Sequence, residues 1–167
     1  MAPTRSETVR VLAIDPGASS GWAVISASVR RPGGVVEAHG QLKGGEGGGA
    51  RMYDVLVRLP ERPDAVLIED QFVARNIRSS LTLSRSAGRW AGVVEVVWRG
   101  VAVEMVAPAT WQAAVLRATG RDACARYARV VAEHVAGVKM RLDEAAAVCL
   151  GIYGARERFG RLRRERR

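Results

Sequence analysis

The chain is predicted to form an α/β domain, a sheet with helices packed on it, and three features of the sequence carry that expectation. Segments of strand length occur at residues 9–14, 21–27, 35–42, 65–68 and 101–106, the first two and the fourth largely apolar throughout. Segments with apolar residues at helical spacing lie between and after them, giving the order β-β-β-α-β-α-β-α-α-α. With 167 residues and 48% apolar content the chain can bury one core. A single unit over residues 9–158 is therefore expected, with flexible polar or basic tails at 1–8 and 159–167.

The first strand begins at Val9. Asp15-Pro16-Gly17-Ala18-Ser19-Ser20 separates it from the second, with Pro16 and Gly17 making the turn. A loop at 30–34 leads into the third strand, so the chain opens as an antiparallel meander. Residues 43–49 are glycine-rich but lack the Lys-Ser/Thr of a phosphate-binding loop, and are expected to be a flexible tip. Met52, Val55, Leu56 and Leu59 follow the helical period over 50–59, and Pro60 with Pro63 ends that helix. After the strand at 65–68, the segment 79–98 carries two stripes. Leu83, Ala87, Trp90, Val94 and Val97 read as core. Ser80, Ser84, Gly88 and Ala91 or Gly92 form a small-residue track that admits another helix, from this domain or from a second copy. Following the last strand, Pro108 opens a short helix through Trp111 to Leu116, because proline is tolerated in a first helical turn, and Gly120 breaks it. Two further helices are predicted, at 122–135 with Cys124, Tyr127, Val131 and Val135 inward, and at 143–158.

Charge narrows the function. The formal net charge is +9, and 24 of the 26 basic residues are arginine, with Lys43 and Lys139 the two lysines. Planar bidentate donors in such excess match phosphate and point to nucleic acid, although a genome that writes Arg for Lys gives the same composition. The last twelve residues hold seven Arg against Glu157 and Glu165, a basic helix or frayed tail suited to backbone phosphate. Cys124 and Cys149 have no metal-ligand spacing, so neither a zinc site nor a disulfide framework is expected. His39 and His134 have no partner spacing either. Without a membrane-spanning run or a signal-peptide core, a cytoplasmic protein is expected.

Against that basic background, three acids stand where apolar elements end or begin: Asp15, Glu69 and Asp143. Singly, Asp15 reads as a turn residue, Glu69 as a strand end and Asp143 as a helix N-cap. Together they suggest a metal site that cuts a polyanion. Phosphodiester hydrolysis needs a water made nucleophilic and a clamp on oxygens that gain charge; two divalent cations about 3.5 to 4 Å apart supply both, and Mg²⁺ takes carboxylate oxygens. Convergence of these acids requires the first and fourth strands to be neighbours.

Three blocks then carry a resemblance. Ile14-Asp15-Pro16-Gly17 with Gly21-Trp22-Ala23-Val24-Ile25, Ile68-Glu69-Asp70-Gln71-Phe72-Val73-Ala74-Arg75-Asn76 with Ser80-Leu81-Thr82-Leu83, and Asp143-Glu144-Ala145 are similar, in order and spacing, to the signature blocks of RuvC-type Holliday junction resolvases. The similarity spans about residues 9 to 155, and the second block is its most specific part. It implies a ribonuclease-H-like fold, with a mixed five-stranded sheet and helices on both faces. It also implies a homodimer, two Mg²⁺ or Mn²⁺ ions per site, and paired nicks in a four-way DNA junction that leave 5′-phosphate and 3′-hydroxyl ends. Asp15, Glu69 and Asp143 would be the catalytic metal ligands. Phe72 would stack on a base at the junction centre, with Arg75, Asn76 and Arg78 lining the DNA path.

The chain also departs from that pattern. The family usually carries a second acid three residues into the last helix, where this chain has Ala146. Glu144 is the candidate substitute, although it stands about 100° around a helix from Asp143. The family's lysines on the short helix and the one after it are replaced at approximately Gln112 and Cys124, leaving Arg117, Arg121 and Arg126 to supply that charge. Two alternatives stay open: a non-catalytic branched-DNA-binding protein of the same fold, and a ribonuclease-H-like nuclease acting on hybrids or forks.

Overall fold

A computed structural model of the chain describes residues 8–43, 48–70 and 77–165. Five strands form one sheet: β1 (Thr8–Asp15), β2 (Ser19–Ser28), β3 (Val35–Lys43), β4 (Ala65–Glu69) and β5 (Ala102–Val106), in the order β3-β2-β1-β4-β5. The opening meander pairs antiparallel, whereas β4 pairs parallel with both β1 and β5. Parallel neighbours need a crossover, which α2 (Ile77–Val97) supplies between β4 and β5, while α1 (Gly48–Val57) lies between β3 and β4 in the chain. The remaining helices are α3 (Pro108–Leu116), α4 (Arg121–Ala123), α5 (Arg129–Ala136) and α6 (Leu142–Glu165), with a π-helical turn at Cys124–Ala128 joining α4 to α5.

Strand alternation sorts the core into two halves. Val9, Val11 and Ala13 of β1, Ala23, Ile25 and Ala27 of β2, and Ala65 and Leu67 of β4 pack in one cluster with Trp111 of α3 and most of α6. Their neighbours Leu12, Ile14, Val24, Val66 and Ile68 pack on the other face with Met52 and Leu56 of α1 and Ala87, Trp90 and Val94 of α2. Side chains two residues apart on a strand share a face, so central strands covered on both sides read as unbroken apolar runs. At roughly 25 cal/mol per Å² of apolar surface, each fully buried Leu, Ile or Val contributes about 1.5–3 kcal/mol. Helix α6 approaches the sheet through small residues, with Ala145, Ala147, Gly151, Gly154 and Ala155 all buried.

Several boundaries differ from the sequence reading, each for a local reason. Helix α1 starts at Gly48, inside the stretch expected to be a loop, and residues 44–47 lie outside the described ones. Of the residues expected inward, Cys124, Val131 and Val135 pack against the core beside the buried Ala123, Ala128 and Ala132, whereas Tyr127 is 47% exposed. A π-helical turn adds a residue to one turn and rotates the face that follows it. Helix α6 runs on to Glu165, beyond the end expected near Arg158, because Phe159 is buried in the core and Leu162 packs against it. In α2 the apolar stripe faces the sheet as expected, while Ser84, Gly88 and Gly92 of the small-residue track face solvent. Added Cβ atoms on Gly88 and Gly92 would meet nothing within 4 Å among the described residues, while Ser80 is buried and Ala91 packs against the core. Among the described residues, no helix is long and apolar enough to cross a membrane.

Candidate active site

Register and alternation bring the first two acids together. Ile14 of β1 stands beside Ile68 of β4, so Asp15 and Glu69 are the next residue on each of two neighbouring strands. Each lies two positions beyond a residue of the α6-facing cluster, Ala13 and Leu67, and therefore faces the same side. The condition that the first and fourth strands be neighbours is met.

The third acid arrives through a glycine. Across β1, Asp15 pairs with Gly21 of β2. A Cβ on Gly21 would overlap the backbone carbonyl of Asp143, so the missing side chain is what lets the first turn of α6 settle against β2 beside Asp15. Asp143 is the second helical residue rather than the N-cap, a position held by Arg141, whose carbonyl accepts from Ala145 N–H.

Neutral donors hold two of the carboxylates. Trp111 Nε1–H, from the fully buried indole on α3, donates to Glu69 Oε2 at 2.8 Å. Gln41 Nε2–H, on β3, donates to Asp143 Oδ2 at 2.7 Å, and the Gln41 carbonyl accepts from Arg141 Nη1–H at 2.7 Å. Because that carbonyl is taken by a group that only donates, the amide must turn its NH₂ toward Asp143. Glu144, the candidate substitute for the absent acid, is committed elsewhere. Its Oε2 accepts from Arg141 N–H at 2.9 Å, the back-bond of a capping box, and its Oε1 lies 3.3 Å from His39 Nδ1.

Asp15 has no such support. Its carboxyl is pushed well above the usual carboxylate range, first by burial, then by the charges of Glu69 and Asp143, and no donor or cation among the described residues offsets them. Cys124 registers the same field. Its thiol rises to about 11, through burial first and then through Glu69 and Asp15, and so stays protonated at neutral pH. Gln112 Nε2–H donates to Cys124 Sγ at 3.0 Å, and Gln112 Oε1 accepts from Gly120 N–H at 2.7 Å. The two places expected to have lost lysines are thus joined as a neutral pair beside the acids, and Ala146 is buried in the core cluster.

Among the described residues, no three His, Cys, Asp or Glu side chains are arranged to hold a metal ion as they stand. Asp143 is engaged by Gln41 and Glu69 by Trp111. The donor chemistry nevertheless fits a hard divalent cation: three carboxylates, with the central one carrying repulsion that bound positive charge would relieve. Of the residues expected on the DNA path, Arg78, Arg117, Arg121 and Arg126 are exposed, whereas Phe72, Arg75 and Asn76 lie outside the described residues. Sequence reasoning missed Gln41, Arg141 and Trp111. A buried indole N–H needs an acceptor, and His39 and Gln41 are polar residues two apart on a strand; these were the available signals.

No known protein-family profile matches the chain. A crossover junction endodeoxyribonuclease RuvC from Myxococcus xanthus is 32% identical over 154 residues, covering 86% of this chain and 78% of that protein. The RuvC of Wolbachia sp. subsp. Drosophila simulans is 32% identical over 91 residues, 48% of this chain and 54% of its own. Among solved structures, T. thermophilus RuvC in complex with Holliday junction substrate has a TM-score of 0.69 at 20% identity, covering 91% of this chain and 96% of that one. The yeast mitochondrial Holliday junction resolvase has a TM-score of 0.59 at 16% identity, covering 98% and 83%. At these identities the structural likeness is one of fold, the mixed ribonuclease-H-like sheet with helices on both faces.

Proposed function

The chain belongs to the RuvC family of crossover junction endodeoxyribonucleases, and on that premise we propose that it is a structure-selective DNA endonuclease that resolves four-way junctions by paired nicks. The observation that carries this is the meeting of Asp15 and Glu69 on adjacent strand ends, facing the helix whose first turn bears Asp143. These three are the catalytic carboxylates and would hold Mg²⁺ or Mn²⁺, two ions per site. The chemistry supplied by ions held there would be a lowered pKa of the attacking water and neutralisation of the leaving oxygen, with 5′-phosphate and 3′-hydroxyl ends as the products.

The chain's own residues prepare that chemistry. Trp111 holds Glu69 without adding charge, and Gln41 occupies Asp143 Oδ2 and so limits how that carboxylate can turn. With Glu144 bound to the α6 N-terminus and Ala146 apolar, the site works with three acids. Arg78, Arg117, Arg121 and Arg126, with Phe72, Arg75 and Asn76, are the DNA contacts. Stacking by Phe72 at unpaired bases is worth roughly 1–3 kcal/mol per base and favours branch points. The solvent-facing track of Ser84, Gly88 and Gly92 on α2 suits a second copy, and two-fold symmetry would match two subunits to two equivalent strands. The enzyme acts in the cytoplasm.

The test is incubation with a synthetic four-way junction, a linear duplex and an RNA–DNA hybrid, in Mg²⁺ and then Mn²⁺. Paired nicks in the junction alone are expected. No junction cleavage in either metal refutes the resolvase reading, and preferential cutting of the hybrid replaces it with a hybrid-directed nuclease.

A further inference from the structure

A cleft of about 390 Å³ lies on the sheet face away from α6, between the β1–β2 turn, the end of β3 and the helices α1 and α2. Three cations line it: Lys43 at the end of β3, and Arg85 and Arg89 one turn apart on α2. All three side chains are exposed, and none forms an ion pair among the described residues. Among the described residues no carboxylate lines the cleft. Its floor is polar and ordered, with Ser20 and Ser86, both buried, sharing a hydroxyl–hydroxyl bond of 3.3 Å, while Gly17 N–H donates to Ser20 Oγ.

The cations stand where the fold itself is positive. Arg89 lies against the first residue of α1, Gly48, on which an added Cβ would stand 3.6 Å from Arg89 Nη1. A helix N-terminus carries about half a positive charge, and α1 has no acidic residue in its first turn to balance it. Like charges four apart on a helix, as Arg85 and Arg89 are, also repel. Nothing in the described chain compensates this convergence, and an anion seated in the cleft would. Gly17 lines it, two residues after Asp15, so it opens beside the active site on the opposite side of the strand end.

We propose that this cleft is a phosphodiester subsite in which Lys43, Arg85 and Arg89 hold the backbone of a DNA strand that continues past the active site. The proposal rests on the reading of the chain as a junction nuclease. It adds a second set of phosphate contacts, separate from Arg117 after α3, Arg121 of α4 and Arg126 of the π-helical turn. Contacts of this kind fix the position of the duplex and carry no base sequence, so they set register and affinity at the junction arms. Arginine suits the role because its fork matches two phosphate oxygens.

The test measures affinity for a four-way junction and for a linear duplex by fluorescence anisotropy in EDTA, across a salt series. The proteins are wild type, Arg85→Gln, Arg89→Gln, the double replacement, Arg85→Lys, and Arg62→Gln as an exposed control before β4. The double replacement is expected to lower the slope of log affinity against log salt by about 2, at roughly 0.9 per phosphate contact, and to weaken junction binding about tenfold at 0.1 M salt. Arg85→Lys should keep the slope, and Arg62→Gln should leave both quantities unchanged. An unchanged slope in the double replacement overturns the subsite. So does an equal loss in Arg62→Gln, which would mark a net-charge effect, or a loss in Arg85→Lys as large as in Arg85→Gln. Failure of the enzymatic reading has a different signature, a wild type that prefers no junction and cuts none, and the slopes on linear duplex still score the cleft.

Discussion

The two ends of β1 meet opposite fates. Near its start, Arg10 is surrounded by acids: its guanidinium pairs with Glu37 at 2.6 Å and with Glu61, and its backbone N–H donates to Asp64 Oδ2 at 2.8 Å. Its pKa is raised, first by the hydrogen bond to Glu37. At the far end, Asp15 is surrounded by acids too, and for a carboxylate that company is repulsive. One strand thus carries a charge that the fold satisfies and a charge that it frustrates. A satisfied ion pair serves the fold. A buried carboxylate among carboxylates weakens it, and persists where a positive ligand completes the site.

The largest expected effect comes from Asp15→Asn, which removes the frustrated charge. Junction cleavage should fall by more than about 100-fold, beyond the usual loss for a partner that merely orients a metal ligand. The metal-free protein should at the same time melt higher, by about 2–4 °C for each kcal/mol of repulsion relieved. Differential scanning fluorimetry across pH gives the sign. Asp15 binds its proton more tightly folded than unfolded, so its contribution is complete below the usual carboxylate range and is lost as pH rises from there through the elevated folded value. Metal-free wild type should therefore lose stability over that window, and Asp15→Asn should lose less. A variant that melts lower at every pH would show that Asp15 is a structural residue like Arg10.

Trp111→Phe should come next. It removes the indole donor from the buried Glu69, and hydrogen bonds to charged groups are worth about 1.5–3 kcal/mol. Cleavage should drop about 10- to 100-fold, with a weaker Mn²⁺ isotherm by calorimetry. Ala146→Asp sharpens the comparison from the other side by adding a fourth acid on the Asp143 face. Mn²⁺ affinity should rise, while the metal-free melting temperature should fall by several degrees for a newly buried charge. A smaller change is expected in Gln41→Ala and Arg141→Ala. Each should weaken Mn²⁺ binding a few-fold, with the double no worse than Gln41→Ala, because Arg141 acts through Gln41. Arg10→Gln, at the satisfied end, should cost about 1 kcal/mol in melting experiments and leave the cleavage rate alone.

The elements that carry the acids were legible in the sequence because their signals are local. An apolar run that ends in Asp-Pro-Gly, another that ends in Glu, and an Asp that opens an alanine-rich helix need no distant information. Their partners were not legible in the same way. Gln41 and Asp143 are 102 residues apart, and Trp111 and Glu69 are 42 apart. Tyr127 was misread as inward because a π-helical turn breaks the period on which a helical stripe depends. The end of α6 stayed open between a basic helix and a frayed tail because seven arginines mask an apolar contact by Phe159.

By itself, then, the sequence determined the strands and helices, the positions of the three acids and the absence of a fourth at Ala146. It did so because alternation, helical period, turn chemistry and side-chain identity are properties of neighbouring residues. Only the tertiary structure decided that Asp15 and Glu69 share a face, that Gly21 admits α6 beside them, that Glu144 serves the helix end, and that Lys43, Arg85 and Arg89 converge on one cleft. Strand order, register and helix docking bring together residues far apart in the chain, and the energies that select them are packing and electrostatics summed over the whole fold.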